Sequence, residues 1–203
     1  MERLGDPSGE TDFLMQMFAH DSKNYHVWSY RQWLVRHFGL WESELGDVEE
    51  LLRRDVRNNS AWNHRWFVVF GREDGVEVGE EVVEREIAVA EVAIRKAPQN
   101  QSPWSYLRGL LRRAGRELGS EKGFAGEFAD LERPDEVRSS HALDYLADVY
   151  AEEGGEEKRE EARKALDLLA GRYDPIRKNY WEYRKSLLVG REGDVSASAS
   201  AIA

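Results

Sequence analysis

The sequence predicts an all-α protein, a right-handed superhelix of antiparallel helical hairpins. Three observations carry this expectation. Apolar residues recur at the three-and-four spacing of amphipathic helices, and no stretch alternates as a strand would. Tryptophan returns at a long period: Trp28 to Trp62 is 34 residues, Trp62 to Trp104 is 42, and Trp104 to Trp181 is 77, near two further units. The company around each Trp also returns, as Lys23-Asn24-Tyr25-His26-Val27-Trp28, Asn58-Asn59-Ser60-Ala61-Trp62, Asn100-Gln101-Ser102-Pro103-Trp104 and Lys178-Asn179-Tyr180-Trp181, with Ser139-Ser140-His141-Ala142-Leu143 as a degenerate copy. A unit of that length holds two helices of about four turns each, and stacking lets each pair bury a face it cannot bury alone.

The elements follow in order. Residues 1–12 read as a flexible lead, 13–189 as the helical repeat domain and 190–203, rich in Ser and Ala, as a disordered tail. Phe13, Leu14, Met17 and Phe18 mark a first helix that ends near Asp21-Ser22. A second runs from Tyr25 to His37, burying Trp28, Leu34, Val35 and Phe38, and Gly39 stops it. Glu42 to Arg54 places Leu45, Val48, Leu51 and Leu52 on one stripe, with acids first and Arg53-Arg54 last, as the helix dipole favours. Trp62 to Phe70 is its partner. Gly71 to Gly79 is a charged loop, and Glu80 to Lys96 a long helix with Val83, Ile87, Ala90 and Ile94 inward. Pro103 opens a helix burying Trp104, Leu107, Leu110, Leu111 and Ala114. Phe124, Phe128 and Leu131 suggest a short helix, and Asp135 to Tyr150 a longer one. Glu152 to Glu161 reads as a solvated stretch broken by Gly154-Gly155. Ala162, Ala165, Leu166 and Leu169 mark another helix, and Ile176, Tyr180, Tyr183 and Leu187 the last.

Composition narrows the function. The chain has 203 residues and a formal charge of −10, a field that repels a phosphate backbone and argues against nucleic acid as a partner. There is no cysteine, which excludes disulfides and thiolate metal sites within the chain. No apolar run approaches the ~20 residues of a membrane span, and residues 1–12 carry no signal-peptide core. A cytoplasmic setting is the expectation. No histidine spacing suits a metal, and no phosphate-binding or nucleophile motif occurs, so no catalytic or metal residue is assigned to this chain.

In the full copies, Trp and Arg are three apart on one helix face: Trp28 and Arg31, Trp62 and Arg65, Trp181 and Arg184. Repetition points to structure. The Trp residues, Trp104 included, are read as packing knobs, and the arginines as ties to loops or carbonyls of the adjacent repeat. Asn24 and its counterparts suit helix caps, and His64 belongs to the same structural layer. Only the first copy combines Lys23, Tyr25 and His26 at a helix start. Two readings stand there on the residues alone. An anion such as phosphate or diphosphate would suit the site, and so would a turn cap or a contact with a partner protein.

The runs Lys23 to Trp33, Leu40 to Leu45, Asp55 to Arg65, Glu84 to Ile87, Asn100 to Gly109 and Ile176 to Trp181 resemble the α subunits of protein farnesyltransferase and type I geranylgeranyltransferase. The resemblance covers about residues 13–188, and the 55–65 run is highly specific. It implies a crescent of hairpins wrapping a separate β subunit that carries zinc and the isoprenoid pocket, with magnesium assisting the complex. The reaction implied is transfer of farnesyl or geranylgeranyl from its diphosphate to the cysteine of a CaaX-motif protein. By the same resemblance Tyr25 and His26, with Asn24 beside them, match residues near the diphosphate end of the site. The family carries two successive Lys-Asn-Tyr repeats, and the earlier holds its diphosphate lysine. The run after residue 33 places this copy as the later one, so Lys23 is a bystander and the chain reads as an α subunit shortened at its N-terminus. The rival expectations are a non-enzymatic helical-repeat scaffold and an inactive fragment that binds β.

Overall fold

The structure, a computed structural model, describes residues 7–72 and 79–189. All regular structure among the described residues is helical, as expected. Residues 1–6 of the lead, 73–78 of the charged loop and the tail from 190 lie outside them. The chain comprises two compact units, Met1–Arg85 and Glu86–Ala203.

In the first unit α1 (Glu10–His20) packs on α2 (Tyr25–Phe38), and α3 (Trp41–Arg54) on α4 (Asn59–Phe70). α1 starts inside the expected lead, because Gly9 takes a left-handed conformation and Glu10 and Asp12 favour a first turn. Of the four residues expected on its face, Leu14 and Phe18 are buried and Phe13 is exposed. Gly39 stops α2 at φ 70°, a conformation costly for any side chain. Gly71 ends α4, and a Cβ there would lie 2.4 Å from the carbonyl oxygen of Phe67. α3 buries Val48, Leu51 and Leu52 as expected and Glu44 with them, while Leu45 is only half-buried. A carboxylate goes inside because two cationic or donor side chains meet it there.

α5 (Glu80–Lys96) has the expected bounds and buries Val83, Ile87, Ala90 and Ile94 as expected. The second unit continues with α6 (Gln101–Arg113), α7 (Lys122–Gly126), α8 (Ser140–Glu153), α9 (Gly155–Leu168) and α10 (Lys178–Val189). Ala114 caps α6 from an exposed position and is no part of its buried face. α8 begins five residues later than expected, since Pro134–Glu136 forms a separate 3-10 turn and Ser139 supplies the cap. The Glu152–Glu161 stretch is largely helical: Gly154 and Gly155, both at positive φ, end α8 and start α9 directly. Its charges do face solvent, paired along the helix as Lys158–Glu161 and Arg163–Glu160.

The largest departure is α10. Of the four residues that mark it in the sequence, Tyr180, Tyr183 and Leu187 lie on its exposed side and Ile176 sits exposed in the turn before it, while Trp181 is buried. Apolar periodicity identifies a helix face but carries no information on whether anything covers it.

Candidate functional site

Each repeated tryptophan is buried, and each has a defined hydrogen-bond task. The indole N–H of Trp28 donates to the carbonyl of Ser22, that of Trp62 to Val56 and that of Trp104 to Pro98, all at 2.9 Å and all six residues back. Each bond ties the turn before a helix to that helix's second turn. The asparagines cap as expected. Asn24 Oδ1 accepts from the N–H groups of His26 and Val27, Asn58 from Ser60 and Ala61, and Asn100 from Ser102. Ser139 caps α8 in the degenerate copy, with Leu143 buried in the tryptophan's place.

The fourth copy breaks register. In the others Trp follows the cap by four residues, whereas Trp181 follows Asn179 by two. Asn179 therefore lies inside α10, and the Trp181 indole reaches Asp174, seven residues back. Lys178-Asn179-Tyr180 repeats the letters of Lys23-Asn24-Tyr25 without its structure.

The arginines were expected on loops or carbonyls and instead hold carboxylates. Arg31, fully buried, donates through Nε and Nη2 to Glu44 at 2.8 and 3.0 Å, and through Nη2 to Asp47. Arg65, also buried, lies 3.5 Å from Glu49. Arg184 reaches Asp144 and Asp148 on α8, which Arg108 also contacts. A guanidinium on a helix face finds its counter-charge on the neighbouring helix, so carboxylates outcompete already satisfied carbonyls.

Glu44 also meets His64, Nε2 to Oε2 at 2.7 Å, with neither side chain exposed. A carboxylate only accepts, so the neutral ring carries its proton on Nε2. Burial pushes the His64 pKa down more than Glu44 raises it. Burial alone would raise the Glu44 pKa, but the bonds from His64 and Arg31 hold it below the usual carboxylate range. Burial opposes the charge of Arg31, and Glu44 and Asp47 outweigh it, leaving its pKa above the ordinary value.

His64 belongs to a ladder that the sequence reading missed. Two residues after each Trp of the first three copies, Tyr30, His64 and Tyr106 meet Glu10, Glu44 and Glu86, at 3.2, 2.7 and 2.7 Å. Each glutamate stands 20 residues before its partner. That interval is legible in the sequence, but among 39 acidic residues no single glutamate stands out.

The Trp28 indole bond to Ser22 and the Asn24 cap hold the tip that carries Tyr25 and His26. Asp21 Oδ1 accepts from the N–H of Lys23 at 3.1 Å, closing a turn whose lysine side chain is exposed. Since Asn24 does the capping, Tyr25 and His26 are not needed for it. Tyr25 is 76% exposed, and its ring stands edge-on to exposed His26 at 5.8 Å. A phenol and an imidazole beside the first turn of a helix offer donors to an anionic oxygen. Among the described residues no group of three or more His, Asp or Glu is placed to hold a metal, and no helix is long and apolar enough to cross a membrane.

The three regular hairpins coincide with three matches to one family, described as Protein prenyltransferase alpha subunit repeat, at residues 7–38, 41–71 and 83–114. Two curated relatives carry the name Protein farnesyltransferase/geranylgeranyltransferase type-1 subunit alpha. That of Candida albicans is 40% identical over 90% of this chain and 58% of its own length. That of Dictyostelium discoideum is 35% identical over 89% of this chain and 55% of its own. A solved structure titled Candida albicans protein geranylgeranyltransferase-I complexed with GGPP superposes with a TM-score of 0.83 at 40% identity, over 90% of this chain and 59% of that one. The chain thus spans little more than half the length of these relatives.

Proposed function

The chain belongs to the protein prenyltransferase alpha-subunit family, and from that premise we propose that it acts as the alpha subunit of a heterodimeric CaaX prenyltransferase. The observation that carries the proposal is the coincidence of three family matches with three hairpins built on one set of bonds. In this reading the hairpins scaffold a catalytic β subunit. Tyr25 and His26, held by Asn24, donate to the isoprenoid diphosphate as farnesyl or geranylgeranyl passes to a C-terminal cysteine. Lys23 takes no part. Zinc belongs to the partner and magnesium to the complex, and this chain's residues orient substrate and hold neither ion. A cytoplasmic setting belongs to the same proposal.

Co-expression with a β subunit tests it. The expected result is a copurifying pair that transfers an isoprenoid to a CaaX peptide, and a chain that stays alone beside any β subunit would refute it. The same assay also tests a second reading, a β-binding chain without transfer activity. Copurification without turnover would select that reading.

A further inference from the structure

One asparagine performs two tasks. Asn58 Oδ1 caps α4 through Ser60 and Ala61, while Nδ2 donates at 3.0 Å to the carbonyl of Ser22, 36 residues earlier. Ser22 is the residue whose carbonyl also holds the Trp28 indole at 2.9 Å. Asn58 is 1% exposed, so water does not compete for these bonds. Two residues beyond the gripped carbonyl comes Asn24, and after it Tyr25 and His26.

The device recurs with a different side chain. Ser139 accepts from the N–H of Ala142 and donates at 2.6 Å to the carbonyl of Pro98, which already holds the Trp104 indole. Amide and hydroxyl share one property, that each accepts and donates at once. A cap alone would be served by an aspartate, which only accepts. The donor therefore has a separate purpose, and in both places it is spent on the turn of an earlier hairpin.

We infer that Asn58 is a positioning residue for the Tyr25–His26 pair, fixing from the following hairpin the turn that aims both side chains at the substrate's anionic oxygens. The inference rests on the substrate role proposed above for that pair. Asn58→Asp isolates the donor, because it keeps the cap but turns a carboxylate toward the Ser22 carbonyl. Hydrogen–deuterium exchange on the full chain is expected to speed at the amides of His26 and Val27 and stay slow at Ser60 and Ala61. In the complex with a β subunit, affinity for geranylgeranyl diphosphate is expected to fall about tenfold, the equivalent of one hydrogen bond. The loss should appear in the diphosphate KM more than in kcat. Asn58→Ser restores a donor of the kind Ser139 uses and should recover part of the affinity.

Unchanged exchange at His26 and Val27 would overturn the inference. So would equal losses in the Asp and Ser variants, which would mark a merely structural role. A Tyr25→Phe/His26→Ala double variant tests the underlying reading separately. If it leaves diphosphate affinity intact, the substrate role fails and the inference falls with it. If it weakens binding while Asn58→Asp does not, the substrate role stands and the positioning role alone is refuted.

Discussion

Lys23-Asn24-Tyr25 and Lys178-Asn179-Tyr180 are the same tripeptide in two regions of one chain, and they do different things. At the first, asparagine caps a helix, the Trp indole closes the turn and Arg31 reaches forward to Glu44 on α3. At the second, asparagine sits within α10, the indole reaches one residue further, and Arg184 turns back to α8. Tyr30, two residues after its Trp, bonds to Glu10, whereas Tyr183 at the same offset is exposed. The tripeptide does not define the repeat. The distance from cap to tryptophan does, because that distance sets which helix faces receive the partners.

The two arginine clusters offer the severest way to break this comparison. Glu44→Ala leaves buried His64 without its carboxylate and buried Arg31 with Asp47 as its remaining acidic partner, at an expected cost of about 3 kcal/mol in denaturant unfolding. Arg184→Ala leaves Asp144 and Asp148 partly exposed and still beside Arg108, for about 1 kcal/mol or less. Equal losses would show that the second cluster is as dry as the first. A smaller contrast separates the asparagines. Asn24→Ala should cost about 1 kcal/mol as a lost cap, and Asn179→Ala no more than about 0.5 kcal/mol. A melting curve for each variant checks this.

The smallest effect is a slope with pH. The folded-state pKa of His64 lies below its ordinary value near 6.5, so the unfolded chain takes up a proton first. Stability contributed by the neutral ring is full above that value and declines as pH falls beneath it. Glu44, also depressed in the folded state, extends the decline at lower pH. His64→Gln should flatten the upper part of the curve, between about pH 7 and 5, and leave the lower part. Unfolding midpoints across that range decide it.

Much of the fold was legible because local rules agreed with one another. Gly39 ended a helix, Glu80 to Lys96 formed one, and Asn24, Asn58 and Asn100 capped as their side chains allow. What sequence reasoning missed depends on which face of a helix meets a neighbour. The stripe of Ile176, Tyr180, Tyr183 and Leu187 has good helical spacing and lies exposed. Glu44 is acidic and lies in the core, because its partners come from two other helices. At the candidate site, Asn24 was readable as a cap from its type and place. The bond from Asn58 was not, since nothing local distinguishes an asparagine that only caps from one that also donates 36 residues away.

The shared carbonyls also have a consequence in time. Synthesis proceeds from the N-terminus, so the tip bearing Tyr25 and His26 leaves the ribosome 36 residues before the amide that completes it. At about 5–20 residues per second that delay is roughly two to seven seconds. The interval at Pro98 is similar, with Ser139 arriving 41 residues later. Until then each tip is held only by bonds from nearby residues, its tryptophan's among them, and the growing chain carries its least finished tip nearest the ribosome.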